Sequence, residues 1–160
     1  MSELTSASVP PPGPEDHATG SGEELIVYID LGCPHCAAAW PRIRARADRL
    51  VIRHFPIAGK HPRAPALHAA AEAAGIQGRF FEMVDSLYAD RGRVDDPHLW
   101  ERVEALGLDL ERFNADRRSD EVAARIRRDF ETGIRGGVSG TPAGFREGKS
   151  VPLCPRAGGL

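Results

Sequence analysis

The stretch LIVYIDLGCPHC, residues 25–36, decides the fold of this chain. Its first five residues form a nearly continuous apolar run rich in β-branched residues, which is typical of a strand covered on both faces in an α/β sheet. Gly32 interrupts the run, and Pro34 lies where a proline is tolerated in the first turn of a helix. Apolar residues at helical spacing then continue to about Leu50. The sequence therefore predicts a strand, a turn and a helix around two cysteines.

The rest of the chain is arranged around this unit. Residues 51–57 read as a second strand, so that strand, helix and strand form a right-handed β-α-β unit. An all-helical segment is expected at about 62–134, because apolar residues recur there at helical spacing between glycine stops. The Pro-rich residues 1–22 are expected to be a disordered tail. The predicted organisation is this tail followed by one domain over 23–160.

Size and charge narrow the function classes. A chain of 160 residues and 17.3 kDa fits one domain with a real hydrophobic core. A formal net charge of -2 and a pI near 6.3 argue against nucleic acid as a partner. The start of the chain lacks the basic and apolar regions of a secretory signal, and no apolar run is long enough to span a bilayer. We therefore expect a cytoplasmic protein without a membrane partner.

The cysteines pose the main question about chemistry. Three cysteines cannot build a disulfide framework, and Cys33 and Cys36 lie three apart, which in a cytosolic protein indicates redox catalysis or metal binding. A structural zinc site needs four ligands and usually a second pair of cysteines, which this chain lacks. Cys154 is expected to be an incidental thiol, and the spacing of His61 and His68 is ordinary for a helix. We expect no metal and no cofactor, with zinc kept as an alternative.

The predicted geometry makes the two sulfurs unequal. With Cys33 as the N-cap and Cys36 as the third helical residue, both sulfurs reach one end of the helix and can bond to each other. Cys33 faces unpaired N–H groups and the positive end of the helix dipole, which favour its thiolate. Cys36 lies within the first turn. Cys33 is therefore expected to attack and Cys36 to resolve, with Pro34 and His35 between them and His35 tuning the thiolate.

Cys-Pro-His-Cys after an apolar strand, a helical insertion and then Gly-Val-Ser-Gly-Thr-Pro at 137–142 resembles the DsbA-like branch of the thioredoxin superfamily. The resemblance covers about residues 24–142. It implies an α/β, thioredoxin-like fold with an all-helical insertion. It also implies a cis peptide bond before Pro142, and pairing of the Thr141 backbone with an extended substrate peptide beside Cys33.

Two departures from this family stand out. Many members carry an acidic residue six positions before the first cysteine, where this chain has Val27, so that water or the differently placed Asp30 would have to accept the proton of Cys36. The family also continues after its Thr-Pro pair with two strands and a closing helix. Residues 143–149 make a poor strand, so the last strands are expected to be short and the final helix absent.

These observations predict a thiol:disulfide oxidoreductase that exchanges a Cys33–Cys36 disulfide with protein or small-molecule thiols and disulfides. The alternatives are a redox-inactive binding module on a thioredoxin scaffold and the zinc-binding protein. A folded domain without disulfide exchange would indicate the module, and stoichiometric metal in the purified protein would indicate zinc. The substrate, the direction of exchange and the oligomeric state are open.

Overall fold

A computed structural model describes residues 8–46 and 48–153. Over these residues the chain forms one five-stranded mixed sheet and six helices. The strands are β1 (His17–Thr19), β2 (Glu24–Ile29), β3 (Arg49–His54), β4 (Ala143–Arg146) and β5 (Lys149–Val151). The helices are α1 (Pro34–Arg44), α2 (Ala64–Ile76), α3 (Phe80–Ala89), α4 (Asp96–Ala105), α5 (Leu110–Asp116) and α6 (Asp120–Arg135). The strand order is β1-β3-β2-β4-β5.

Strand β2 lies at the centre of the sheet, as its apolar run predicts. It pairs in parallel with β3, where Val27 faces Ile52, and antiparallel with β4, where Val27 faces Gly144. The predicted helix extends too far, because α1 ends at Arg44 and Leu50 belongs to β3. Leu50 pairs with Leu25 of β2, so the sheet provides backbone partners that a longer helix would forgo.

The helical insertion is confirmed, with helices α2 to α6 following one another between Ala64 and Arg135. Helices α1 to α5 share one apolar core with one face of the sheet. On the other face a second core includes Tyr28 and Phe55, and Phe130 of α6 packs against it. This is the thioredoxin-like arrangement that the resemblance implies. None of the helices in the described part of the chain is long and apolar enough to cross a bilayer.

The predicted disordered tail is wrong for residues 8–22. Strand β1 pairs antiparallel with β3, and Val9 is buried in the second core. Asp16 accepts two hydrogen bonds from the buried guanidinium of Arg53, at 3.1 and 3.0 Å. The composition of this segment is poor in apolar residues, but long-range pairing with β3 supplies the stabilisation that the segment lacks by itself. Residues 1–7 lie outside the described part.

The two strands after the helical insertion are short, as predicted. Strands β4 and β5 have four and three residues and pair antiparallel. Through residue 153, where the description stops, no helix follows β5. Phe145 of β4 is buried against the ring of Tyr28, with 5.7 Å between the ring centroids. A segment with little strand character in its sequence is thus held by the central strand beside it. Cys154 lies outside the described residues.

Candidate active site

The two cysteines lie where the turn after β2 enters α1. Cys33 is the N-cap of α1 with extended backbone angles, φ -86° and ψ 124°, and Cys36 is the third residue of the helix. Both are free thiols and both are buried, with 5% of Cys33 and 1% of Cys36 exposed. Pro34 occupies the first turn of the helix. The sequence therefore predicted this local geometry correctly, although it did not predict that Cys33 would be buried.

The loop before β4 brings Thr141 and Pro142 to the cysteines. The Thr141–Pro142 peptide bond is cis. The Cys33 Sγ donates to the backbone oxygen of Thr141, with 3.8 Å between the atoms. The Thr141 hydroxyl is buried, and it has no hydrogen-bond partner of ordinary geometry among the residues that the structure describes. Residues 108 positions apart in the chain thus meet at one sulfur.

Burial makes the Cys36 thiol a very weak acid. It raises the pKa of Cys36 to about 12, and the neighbouring Cys33 adds to the rise. The backbone N–H of Asp30, 3.5 Å from the Cys36 Sγ, and the Thr141 side chain oppose the rise without cancelling it. At neutral pH Cys36 is a protonated thiol. To act as a nucleophile it would first have to lose this proton.

Asp30 is held as a carboxylate and does not serve as a base for Cys36. Its oxygens accept hydrogen bonds from the Gly32 N–H at 2.8 Å, the Ile57 N–H at 3.0 Å and the His61 Nδ1 at 2.9 Å. Burial alone would raise the pKa of Asp30, but these donors and the nearby His68 lower it to about 2. A carboxylate this weakly basic cannot hold a proton from a thiol of pKa about 12.

His35 and Pro34 lie at the surface beside the cysteines. Both side chains are exposed, and the His35 ring has no hydrogen-bond partner among the described residues. Val27, at the position where the family resemblance implies an acid, is completely buried in the apolar core. No carboxylate therefore replaces the missing acid at that point of the strand.

A buried histidine network behind the site was missed by the sequence analysis. The Leu31 N–H donates to the His68 Nε2 at 2.9 Å, so the proton of His68 is on Nδ1 and points to the His54 Nδ1 at 2.8 Å. The His54 Nε2 and the His17 Nε2 then both donate to the Glu72 Oε2, each at 2.7 Å. Both ring nitrogens of His54 and of His68 are paired in this pattern, with His68 neutral. Burial agrees with this, because it lowers the pKa of His68 to about 4.

The same network contains a possible metal-ligand set, whose donor atoms lie within 4.8 Å of one another: His17, His54 and Glu72. In this hydrogen-bond pattern both ring nitrogens that face Glu72 carry protons, so neither offers a lone pair to a metal. Arg125 adds a positive charge, with its Nε 3.7 Å from the Glu72 Oε1. The residues as arranged thus fit a closed hydrogen-bond network better than a metal centre.

No local sequence motif predicts this hydrogen-bond network. His54 lies on β3, His68 and Glu72 lie on α2, and His17 lies in the segment that was expected to be disordered. The two histidines considered as a helical pair are separated, because His61 precedes α2 and bonds to Asp30 instead. The zinc alternative would also need Cys154, which is not among the described residues.

Comparison with known proteins places the chain in a family. The family model described as "DSBA-like thioredoxin domain" matches residues 62–154, a stretch that does not include the cysteine pair. A thioredoxin-like oxidoreductase from Silicibacter pomeroyi superposes with a TM-score of 0.76 at 26% identity, covering 88% of this chain and 84% of that one. The thiol-disulfide exchange protein alpha-DsbA2 from Wolbachia pipientis superposes with a TM-score of 0.75 at 18% identity, covering 88% and 82%.

Curated relatives carry a different name. A protein from Herminiimonas arsenicoxydans named Na(+)/H(+) antiporter NhaA is 36% identical over 152 residues, which are 89% of this chain and 24% of the relative. A Salinispora arenicola protein named Na(+)/H(+) antiporter NhaA 1 is 39% identical over 152 residues, which are 88% of this chain and 23% of the relative. This chain thus spans about a quarter of the length of these relatives.

Proposed function

This chain belongs to the DSBA-like thioredoxin domain family, and on that premise we propose that it is a thiol:disulfide oxidoreductase with Cys33 and Cys36 as its redox pair. The observation that carries the proposal is the contact of the Cys33 Sγ with the backbone oxygen of Thr141, 3.8 Å away, at the N-cap of α1. That contact puts one sulfur beside a backbone edge on which an extended peptide can pair, as in strand addition.

The proposed reaction has two exchange steps. The Cys33 thiolate attacks a substrate disulfide, which forms a mixed disulfide and releases one substrate thiolate. Cys36 then loses its proton to water and attacks the Cys33 sulfur, which releases the second substrate thiolate. The substrate is reduced by two electrons, and the pair becomes the Cys33–Cys36 disulfide. In the reverse direction, the same two steps oxidise a dithiol substrate and reduce the Cys33–Cys36 disulfide.

The roles of the neighbouring residues follow from their positions. His35 lies exposed between the cysteines and would meet the substrate as it docks. Thr141 and Pro142 would form the docking edge. Protein thiols and small-molecule thiols are both proposed partners, and no cofactor is required because the electrons pass between sulfurs. A cytoplasmic location stays a prediction from the sequence.

The test is equilibration of the protein in glutathione buffers of graded redox potential, with the Cys33–Cys36 disulfide measured by mass spectrometry. We expect a single two-electron transition, with a tenfold change in the ratio of disulfide to dithiol for about every 30 mV. The Cys33→Ser variant should form no internal disulfide, and the Cys36→Ser variant should accumulate a mixed disulfide with glutathione. Absence of any transition in wild-type protein would favour the redox-inactive binding module.

The curated relatives support a second proposal, about where this chemistry is used. In those proteins a region similar to this chain forms part of a much longer polypeptide named as an antiporter. We propose that a membrane transporter is among the partners of this domain. Mixed disulfides trapped by the Cys36→Ser variant in cells should then include a transporter, whereas a set of exclusively non-membrane proteins would contradict this.

A further inference from the structure

A groove of about 400 Å³ opens at Gly32, the residue before Cys33. Its walls come from the loops that precede α1, α2 and α4 and from the first turn of α2. The residues that line it are Leu31, Gly32, Lys60, His61, Pro62, Arg63, Leu67, Arg91 and Val94. Since Gly32 is the neighbour of Cys33 in the chain, the groove begins one residue from the attacking sulfur.

The wall next to Cys33 depends on a close approach between Gly32 and His61. A Cβ placed on Gly32 would lie 2.7 Å from the Cβ of His61, so only glycine allows the two loops to meet there. The His61 ring is fixed by its hydrogen bond to Asp30. The position of the groove relative to the sulfur is therefore set by packing and by a buried carboxylate.

The charged groups of the groove are predominantly basic, while its floor is apolar. Lys60 and Arg91 are exposed, and their side chains make no ion pair within residues 8–46 and 48–153. Arg63 is held in place by the backbone oxygen of Val94 at 2.9 and 2.6 Å. Leu31 and Leu67, both buried, and Val94 contribute apolar side chains to the lining.

The carboxylates near the groove are already engaged. Asp30 accepts from His61 and two backbone N–H groups, and Asp96 pairs with Arg63 at 3.1 Å and with Arg117 at 3.2 Å. Lys60 and Arg91 therefore remain as positive charges without an ion-pair partner in the described structure, in the lining of a groove that includes the residue before Cys33. Because these two side chains are positively charged, an anionic group is the complementary ligand for the groove.

We propose that this groove binds an acidic segment of a protein substrate, with Lys60 and Arg91 pairing with carboxylates that flank the reactive cysteine. The inference rests on the proposed redox function and adds a substrate class to it. An extended chain advances about 3.3 Å per residue, so the proposal requires a carboxylate within a few residues of the substrate cysteine, on the side of that cysteine that faces Gly32. The apolar floor accommodates the aliphatic parts of the same segment.

The experiment compares two short peptides, each with one central cysteine, flanked by glutamates in one and by glutamines in the other. The oxidised protein is mixed with each peptide and with dithiothreitol, and the loss of the Cys33–Cys36 disulfide is followed by mass spectrometry. The double variant Lys60→Gln/Arg91→Gln is compared with the control Arg112→Gln/Lys149→Gln, which loses the same charge at exposed positions elsewhere.

We expect Lys60→Gln/Arg91→Gln to lower the rate at which the acidic peptide reduces the Cys33–Cys36 disulfide by about 3- to 10-fold. This is the effect of losing one or two exposed ion pairs. Its rates with the neutral peptide and with dithiothreitol should not change, and the control should behave as wild type. The proposal would be overturned if the two peptides reduced the wild-type disulfide at equal rates. It would also be overturned if the control variant lost as much of its rate with the acidic peptide as the double variant does. A preference for free glutathione without any preference among the peptides would also overturn it.

A binding measurement separates this inference from the proposed function. Fluorescent peptides with serine in place of cysteine cannot exchange, and their binding is followed by fluorescence anisotropy. If the protein exchanges with no thiol but still prefers the acidic peptide through Lys60 and Arg91, the oxidoreductase proposal fails and the groove assignment stands. If exchange proceeds while the acidic peptide binds no better than the neutral one, only the groove assignment fails.

Discussion

At the residue scale, the two cysteines differ in how deeply they are buried and in the groups that their sulfurs contact. Cys36 is 1% exposed within the first turn of α1 and its pKa is raised to about 12 by burial, while Cys33 is 5% exposed, caps the helix and contacts the backbone oxygen of Thr141. The proposed mechanism needs this asymmetry, because a resolving thiol that ionised easily would compete with Cys33 for the substrate.

The asymmetry can be measured by alkylation. We predict that Cys36 in the reduced protein reacts with iodoacetamide at pH 7.5 at least about 100-fold more slowly than an unperturbed thiol, because its thiolate is scarce. Its rate should rise about tenfold per pH unit up to pH 11, and Cys33 should react faster throughout. Peptide-level mass spectrometry resolves each cysteine. Similar rates for both would contradict the proposed roles.

Asp30 gives a prediction about pH. Its pKa in the folded protein is about 2, below the ordinary value of 3.8, so it stabilises the fold above about pH 4 and this stabilisation is lost as the pH falls toward 2. The pKa shift corresponds to a contribution of about 2 kcal/mol to the free energy of unfolding. Urea unfolding should show that Asp30→Asn lowers the free energy of unfolding at pH 7 by about 1 to 3 kcal/mol and reduces this acid dependence.

The exposed Glu101→Gln substitution is the control for that experiment, because the Glu101 side chain lies at the surface of α4. It should leave the free energy of unfolding within about 0.5 kcal/mol of wild type. An Asp30→Asn variant as stable as this control at pH 7 would mean that the carboxylate does not anchor the loops around Cys33.

At the scale of elements, helix α6 packs closely against the sheet at a glycine, Gly133. A Cβ on Gly133 would lie 2.8 Å from the Phe55 ring and 3.0 Å from the Tyr28 ring. Both rings are buried, so neither can move aside easily. Alanine is normally preferred to glycine in a helix by about 1 kcal/mol, and here the crowding should outweigh that preference.

We therefore predict that Gly133→Ala lowers the free energy of unfolding by about 1 to 2 kcal/mol, as measured by chemical denaturation. Gly92→Ala serves as the matched control, because a Cβ on Gly92 has no neighbour within 4 Å, and its effect should be close to zero. A stabilised Gly133→Ala variant would show that the helix can shift away from the sheet, contrary to the packing described above.

Element boundaries show where sequence patterns reach their limit. Helical spacing continues past the end of α1, and the chain nevertheless turns after Arg44 because Leu50 pairs with the central strand. Conversely, the short strand β4 has a weak pattern and forms because β2 offers a free edge. A pattern describes local preference, whereas pairing partners from distant parts of the chain decide the boundaries.

At the scale of the whole molecule, the N-terminal segment is part of the fold. Asp16 bonds to both Nε and Nη2 of Arg53, and the two side chains are 7% and 4% exposed. Arg125 of α6 lies 3.9 Å from the Asp16 carboxylate as well. The segment therefore joins β3 and α6, and its removal would leave buried charge without a partner.

We predict that Asp16→Ala lowers the free energy of unfolding by about 3 kcal/mol, since it leaves a buried guanidinium uncompensated. Glu15→Ala, at a neighbouring side chain that is 64% exposed, should cost less than about 1 kcal/mol. Chemical denaturation of both variants gives the comparison. Equal small losses would indicate that the segment contributes little to the stability of the domain.

The sequence by itself determined the central strand, the helix that carries the cysteines, the helical insertion and the positions of Cys33 at the N-cap and Cys36 within the first turn. These features depend on apolar periodicity, on proline and glycine, and on a spacing of three residues. All of them act over a few neighbouring residues, so they can be recognised without knowledge of the rest of the chain.

Only the tertiary structure decided that Asp30 is held as a carboxylate by three hydrogen-bond donors and that His54, His68 and Glu72 form one network. It also decided that Lys60 and Arg91 border a single groove and that residues 8–22 are ordered. Each of these depends on contacts between residues far apart in sequence. Their energies come from burial and from the direction of hydrogen bonds, neither of which a local pattern contains.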